Sequence, residues 1–249
     1  MTRTDQITVA VTGACGRMGQ MIVDNVKREP DMTLVAAFDK RVCNAGVTVA
    51  SKLVETLEKT KPDVLIDFTE AASSVEIIKA AAGSGVRLVV GTTGFTPEQR
   101  AEAESAIEGK VAAIISPNFS IGVNVFFQLI KKASESLPSG QYAAEVIEAH
   151  HKHKVDAPSG TAVKAIDIIK AIDHSRKVGS YSIRAGDIVG DHSALFIGEG
   201  ERLEIRHQAH SRQAFASGAI LAARFIVKQS PGLHSMDDLM ASLEAFDSL

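Results

Sequence analysis

Ile7-Thr-Val-Ala-Val-Thr-Gly-Ala-Cys-Gly-Arg-Met-Gly19 is the stretch that decides the fold. Residues 7–12 are apolar and β-branched, the composition of a short strand buried on both faces of a parallel sheet. Gly13, Gly16 and Gly19 follow, and Met18, Met21, Ile22 and Val26 then recur at helical spacing. Strand, glycine turn and helix in that order open a dinucleotide-binding unit. The glycines permit a tight turn and close backbone approach, so that a pyrophosphate can face the free N–H groups of the helix start. The spacing is GxxGxxG rather than GxGxxG, which a glycine-rich βα turn without a ligand could also show. A second strand, Leu34 to Phe38, strengthens the reading because it ends at Asp39, twenty residues beyond Gly19. An acid at that place accepts the ribose hydroxyls. Lys40 and Arg41 come next. The acid favours NAD and the cations could take the extra phosphate of NADP, so both cofactors stay open, as does a pair of solvated loop charges.

Working outward, strands are expected at 64–68, 87–90 and 111–115, each followed by a helical pattern. Their C-terminal ends carry Thr69, Gly91-Thr92-Thr93-Gly94 and Ser116-Pro117-Asn118-Phe119, small or polar residues where an open parallel sheet places its ligand. After Phe119 the alternation changes. A helix over 121–137, a strand over 142–149 and a helix over 160–172 lead to three strand-like runs at 180–183, 194–197 and 202–206. Runs of strands in place of βα units indicate a separate α+β domain. The fold class is therefore α/β, with a Rossmann-type parallel-sheet nucleotide-binding domain over 1–118 and a second domain over 119–212. Helices within 213–249 are expected to pack back on the first domain.

The second domain holds the chemistry-bearing stretch. Seven of the eight histidines fall between 150 and 210. Glu148 is followed by five basic residues, His150 to Lys154, and then by Pro158-Ser159-Gly160-Thr161 at a helix start. His150 and Lys154, four apart, are expected to share a face in either an extended or a helical segment. They pair a proton donor near neutral pH with a cation. The helix N-terminus beyond them attracts a carboxylate or phosphate. A solvated basic face and a histidine metal site are the rival readings, but neither HExxH nor CxxC accompanies the histidines, and no metal is expected. His207, His210 and Arg212, near the end of the last strand, read as surface charges.

With 249 residues, 45% hydrophobic and 23% charged, the chain has the composition of a soluble globular protein. A net charge of -3 and pI near 6.2 argue against nucleic acid as a partner. No apolar run approaches the roughly 20 residues of a membrane helix, and no signal-peptide core stands at the N-terminus, so a cytoplasmic protein without membrane partners is expected. Two cysteines, Cys15 and Cys43, offer no disulfide framework to read.

Glu148-Ala-His-His-Lys-His-Lys-Val-Asp-Ala-Pro-Ser-Gly-Thr161 closely resembles the signature of the dihydrodipicolinate reductase family. The resemblance covers nearly the whole chain. It takes in the 13–19 turn, Asp67-Phe68-Thr69, Gly91 to Gly94, Asn118 to Asn124, Arg184 to Gly190 and the Ser211-Arg212 region. It implies reduction of a cyclic imine or enamine dicarboxylate on the diaminopimelate and lysine pathway, with NADH or NADPH. His150 would be the acid/base residue and Lys154 its partner; His151, Gly160 and Thr161 would contact a substrate carboxylate. Gly13, Ala14, Cys15, Gly16, Arg17 and Met18 would contact the cofactor. So would Asp39, Lys40, Gly91, Thr92, Thr93, Ser116, Pro117, Asn118 and Phe119. A homotetramer assembled through the second domain's sheet is implied too. The segment after Asp39 and the loop around 174–180 are shorter than in some members. The rival functions are another two-domain NAD(P) dehydrogenase of the amino-acid type and a Rossmann-type NAD(H) sensor that does not turn over. A sensor has no need of a histidine–lysine pair beside an anion cradle.

Overall fold

The computed structural model describes residues 6–46, 49–50 and 52–247. In chain order its elements are β1 (Ile7–Thr12), α1 (Arg17–Arg28), β2 (Met32–Phe38), β3 (Val49–Ala50), α2 (Leu53–Thr60), β4 (Val64–Asp67), α3 (Ala71–Gly83), β5 (Arg87–Val90), α4 (Pro97–Ile107) and β6 (Ala112–Ile115). There follow α5 (Ile121–Ser136), β7 (Ala143–His150), α6 (Gly160–Ile172), β8 (Val178–Arg184), β9 (Gly190–Ile197), β10 (Arg202–Ala209), α7 (Gln213–Ile226), β11 (Gly232–His234) and α8 (Met236–Asp247). They divide into two units, one of residues 1–120 with 215–249 and one of residues 121–214.

In the first unit seven strands lie in the order β11-β6-β5-β4-β1-β2-β3, with every neighbouring pair parallel. The chain leaves β1 on one side through β2 and on the other through β4, so the turns after β1 and β4 part and open a crevice. Val9, Ala10 and Val11 are wholly buried, as a strand covered on both faces must be. Helix α1 buries Ile22, Val23 and Val26. Full burial of Ile22 and Val26 contributes about 1.5–3 kcal/mol each. The helix lies close to its own turn because position 19 has no side chain: a Cβ there would collide with the Gly13 carbonyl. Gly13 itself has φ +71, a conformation that favours glycine. Helix α4 starts on a capping box, with Thr96 and Gln99 bonding each other's backbone N–H and Pro97 in the first turn. The residues after 214 belong to this unit, and Arg224 on α7 binds them into it. Its Nε and Nη2 donate to Asp31 at 2.8 and 2.7 Å, and Nη2 also donates to Glu29 at 2.5 Å. Three elements were not legible beforehand: the two-residue β3, helix α2, and β11, which adds to the sheet edge beside β6.

The second unit has a four-stranded sheet in the order β10-β9-β7-β8, parallel between β7 and β8 and antiparallel elsewhere. One face carries Ala144, Val146, Ala194 and Phe196. Phe126, Phe127 and Ile130 of α5 and Ala162, Ala165 and Ile169 of α6 pack there. Along β7, residues 144, 146, 148 and 150 are buried and their alternates less so. The strand period of two therefore puts Glu148 and His150 on the helix-covered face, at the end of an otherwise apolar row.

Candidate active site

The crevice of the first unit is a pocket of about 420 Å³. Gly13, Gly16, Asp39, Lys40 and Arg41 line it together with Phe38, Leu53, Phe68 and Ile77, an apolar slot with cations at its mouth. Asp39 Oδ2 accepts the Cys15 N–H at 2.9 Å, and Oδ1 accepts the Arg41 N–H at 2.9 Å and Arg41 Nε at 3.3 Å. Burial would raise the Asp39 carboxyl pKa, but these donors hold it below its ordinary value. A carboxylate has about four acceptor positions, so capacity for a ribose hydroxyl remains. The glycine turn, the apolar slot and this carboxylate fit a dinucleotide.

Other expected cofactor contacts stand differently. Ala14 is buried, Met18 is half-buried and Arg17 is exposed at the start of α1. The side chains of Thr92, Ser116 and Phe119 are buried and already engaged. The Thr92 hydroxyl donates to Asp67 at 2.9 Å and accepts the Thr69 N–H at 2.9 Å. Ser116 Oγ donates to the Asn118 carbonyl at 2.9 Å, and the Phe119 ring lies 6.0 Å from that of Phe68. Gly91 is half-buried, and Thr93 and Pro117 open towards solvent. The buried carboxylate of Asp67 accepts from the hydroxyls of Thr12 (2.6 Å), Thr69 (2.8 Å), Thr92 and Ser74. It thus locks together the ends of β1, β4 and β5 at the crevice. Sequence reading missed this hub, whose only signal is an acid ending an apolar strand among hydroxyl residues.

The two cysteines, which offered no disulfide framework in the sequence, meet in the fold. Cys15 and Cys43 are joined by a disulfide, Cα to Cα 5.6 Å. The parallel pairing of β1 with β2 brings the turn after each strand to the same edge, which a separation of 28 residues conceals. The cross-link ties the glycine turn to the segment carrying Lys40 and Arg41.

In the second unit His150 ends β7 and is 8% exposed, not a surface residue. Its Nδ1 lies 2.5 Å from Glu148 Oε2, and the side chain of Glu148 is wholly buried. Arg184 grips the same carboxylate with two nitrogens, Nη1 to Oε2 at 2.8 Å and Nη2 to Oε1 at 2.6 Å. The Ser159 N–H donates to Oε1 at 3.3 Å. Burial pushes the Glu148 carboxyl pKa up, yet hydrogen bonds from Arg184, Ser182 and His150 bring it down to about 2. Burial lowers the His150 pKa, Glu148 opposes that, and the charges of Lys154 and Arg184 lower it further. The His192 ring stands edge-on to His150 at 5.0 Å and shares a 3.0 Å hydrogen bond with Ser159 Oγ. Burial and the nearby His150 take His192 down to about 3, so it stays neutral.

His150 and Lys154 are not on one regular face: the chain turns at 152–153, and the Lys154 N–H donates to the His151 carbonyl at 3.1 Å. A turn, not a strand or helix, brings Lys154 near. Its ammonium pairs with Asp156 at 2.8 Å. His151 and His153 rings lie 6.3 Å apart. Helix α6 begins just beyond, capped by Ser159 Oγ on the Ala162 N–H, with Gly160 exposed in its first turn and Thr161 buried in it. Among the described residues no group of three or more His, Cys, Asp or Glu is arranged to hold a metal ion, and no helix is long and apolar enough to cross a membrane. Sequence reading overlooked His192 as part of the site. It is the direct register partner of Glu148 on β9, a proximity only sheet pairing creates.

Comparison with known proteins follows the same two-part division. Residues 7–119 match the family model for the dihydrodipicolinate reductase N-terminus, and residues 122–240 match that for its C-terminus. A 4-hydroxy-tetrahydrodipicolinate reductase from Methanosarcina barkeri is 50% identical over 94% of this chain and 99% of its own. One from Methanocaldococcus jannaschii is 45% identical over 94% and 97%. The solved structure of a dipicolinate-bound dihydrodipicolinate reductase from Paenisporosarcina sp. TG-14 superposes with a TM-score of 0.81. It is 29% identical and covers 92% of this chain and 97% of its own. The chain therefore belongs to the dihydrodipicolinate reductase family, the oxidoreductases that reduce 4-hydroxy-tetrahydrodipicolinate to tetrahydrodipicolinate with NADH or NADPH on the route to diaminopimelate and lysine.

Proposed function

We propose that His150 and Lys154 carry the chemistry of this reductase, in a second unit that binds substrate, while the first unit holds the dinucleotide. The observation that carries this reading is a buried imidazole bonded through Nδ1 to Glu148, beside a helix N-terminus and a lysine. NADH or NADPH, when bound, supplies the hydride. Negative charge then develops on the conjugated system of the substrate, and a proton or cation must meet it. His150 gives that proton from Nε2, and Lys154 stabilises the charge as it forms. His151, Gly160 and Thr161 hold a substrate carboxylate at the start of α6. The dipicolinate carried by the Paenisporosarcina relative is a planar dicarboxylate, a ligand such a cradle would accept.

For the cofactor, the backbone of residues 13–18, the Asp39 carboxylate, Lys40 and the turns at 91–93 and 116–119 make the contacts. Assembly is a homotetramer through the sheet face of the second unit opposite His150, where Tyr181, Ile183 and Ile197 are 57%, 50% and 40% exposed. The cytoplasm is its compartment.

The test is NADH oxidation on substrate generated by the preceding synthase. His150→Gln lowers kcat by roughly 10²–10⁴-fold, the usual cost of a lost general acid. Lys154→Ala also lowers kcat strongly, and Lys154→Arg restores part of it, because arginine keeps the charge in another shape. A folded, NADH-binding His150→Gln protein with undiminished turnover would move the active site elsewhere.

A further inference from the structure

We infer that Glu148 and Arg184 act as a paired clamp that fixes both the tautomer of His150 and its affinity for a proton, making them positioning residues for the reduction. The inference rests on reading His150 as the proton donor. Its first leg is geometric. An ionised carboxylate only accepts hydrogen bonds, so Glu148 Oε2, 2.5 Å from Nδ1, keeps the hydrogen on Nδ1. That leaves Nε2 as the nitrogen that takes up and gives away a proton. Space beside Nε2 is kept open by Gly190, where a Cβ would stand 3.1 Å from it.

The second leg is electrostatic. Arg184 lies opposite His150 in the β7–β8 register and binds Glu148 with two nitrogens. The same guanidinium donates to the Asp156 carbonyl at 2.6 Å and to the Ile183 carbonyl at 2.8 Å, so it is fixed from both sides. A lone buried carboxylate against an imidazole would hold the imidazolium so firmly that it would donate poorly near neutral pH. With Arg184 in place, Glu148 orients the ring while most of its charge is answered. Among the described residues of this unit, the titratable and charged groups facing His150 are few. Glu148 comes from β7, Arg184 from β8, the neutral His192 from β9, and Lys154 with its partner Asp156 from the loop before α6. Helix α6 adds only its N-terminal end, behind the Ser159 cap.

Opposite signs make the inference testable. Arg184→Met removes the cation and raises the His150 titration midpoint by roughly one to three units. Glu148→Gln removes the anion and lowers it, while its side-chain oxygen still accepts from Nδ1. Arg184→Lys keeps the charge and stays near wild type. The midpoint and tautomer are read on the full chain by ¹⁵N-histidine NMR, with the signal assigned by its loss in His150→Gln. The pH profile of kcat/KM is measured alongside. Opposite shifts of Arg184→Met and Glu148→Gln in both readouts are the expected result. Opposite NMR shifts with an unmoved rate profile would leave the clamp standing and sink His150 as the proton donor. Midpoints that do not move, or that move together, overturn the clamp, as would a neutral tautomer carrying its hydrogen on Nε2. If Glu148→Gln does not fold, equal midpoints for Arg184→Met and Arg184→Lys overturn it alone.

Discussion

His192 offers a perturbation whose size follows from the structure. It is 4% exposed, bonded to Ser159 Oγ and held down to about 3, while an unfolded chain titrates it near the ordinary 6.5. The folded pKa is depressed, so folded and unfolded forms bind no proton at high pH and His192 contributes no pH dependence there. As pH falls through about 6.5 the unfolded chain takes up a proton that the folded protein refuses, and stability is lost. Between about pH 7.5 and about pH 5 that loss amounts to about 2 kcal/mol from this one residue, since each pKa unit corresponds to about 1.4 kcal/mol. His192→Gln keeps a polar group towards Ser159 and has nothing to titrate. Urea denaturation of wild type and variant across that range measures the difference. The variant is expected to be less stable at pH 7.5 but to lose about 2 kcal/mol less on acidification. The comparison cancels the contributions of His150 and of the carboxylates, which both proteins share. Parallel stability curves would refute the reasoning, because they would mean that His192 protonates in the folded state as easily as in the unfolded one.

Replacing Lys40 and Arg41 with alanine should weaken NADPH binding more than NADH binding, read from the two dissociation constants; equal weakening would show that these cations do not read the 2′-phosphate. Thr161→Ala should raise KM and weaken inhibition by pyridine-2,6-dicarboxylate, and steady-state kinetics that leave both unchanged would move the carboxylate site away from α6. Cys43→Ser should cost roughly 3–4 kcal/mol, the loop entropy of a 28-residue closure. It should also make cofactor affinity insensitive to reductant, whereas wild-type affinity weakens when reductant frees the Lys40–Arg41 segment. An unchanged wild-type dissociation constant in reductant would separate the cross-link from the cofactor pocket.

How far the sequence reaches depends on the range of the interaction being read. The 7–19 stretch announced a parallel α/β unit because strand, turn and helix signals are local: β-branched residues, glycines and a 3.6-residue apolar period lie within one window. The return of residues after 214 to that unit was legible as apolar helical pattern, though its anchor, Arg224 on Asp31 and Glu29, was not. The 148–161 signature named the family by residue identity alone, but the strand was expected to stop at 149, and its run to His150 is what puts Glu148 and His150 on one side of the sheet. What those residues do to one another was decided by tertiary pairing. Arg184 faces His150 because β8 runs parallel beside β7, and His192 faces Glu148 because β9 runs antiparallel on the other side. Cys15 meets Cys43 because two turns share one sheet edge, and Asp67 gathers four hydroxyls from three strand ends and a helix. A local pattern reports which faces are apolar, because hydrophobic burial needs no particular partner. Hydrogen bonds, ion pairs and the pKa shifts they cause need particular partners within about 3 Å, and only the folded chain chooses them.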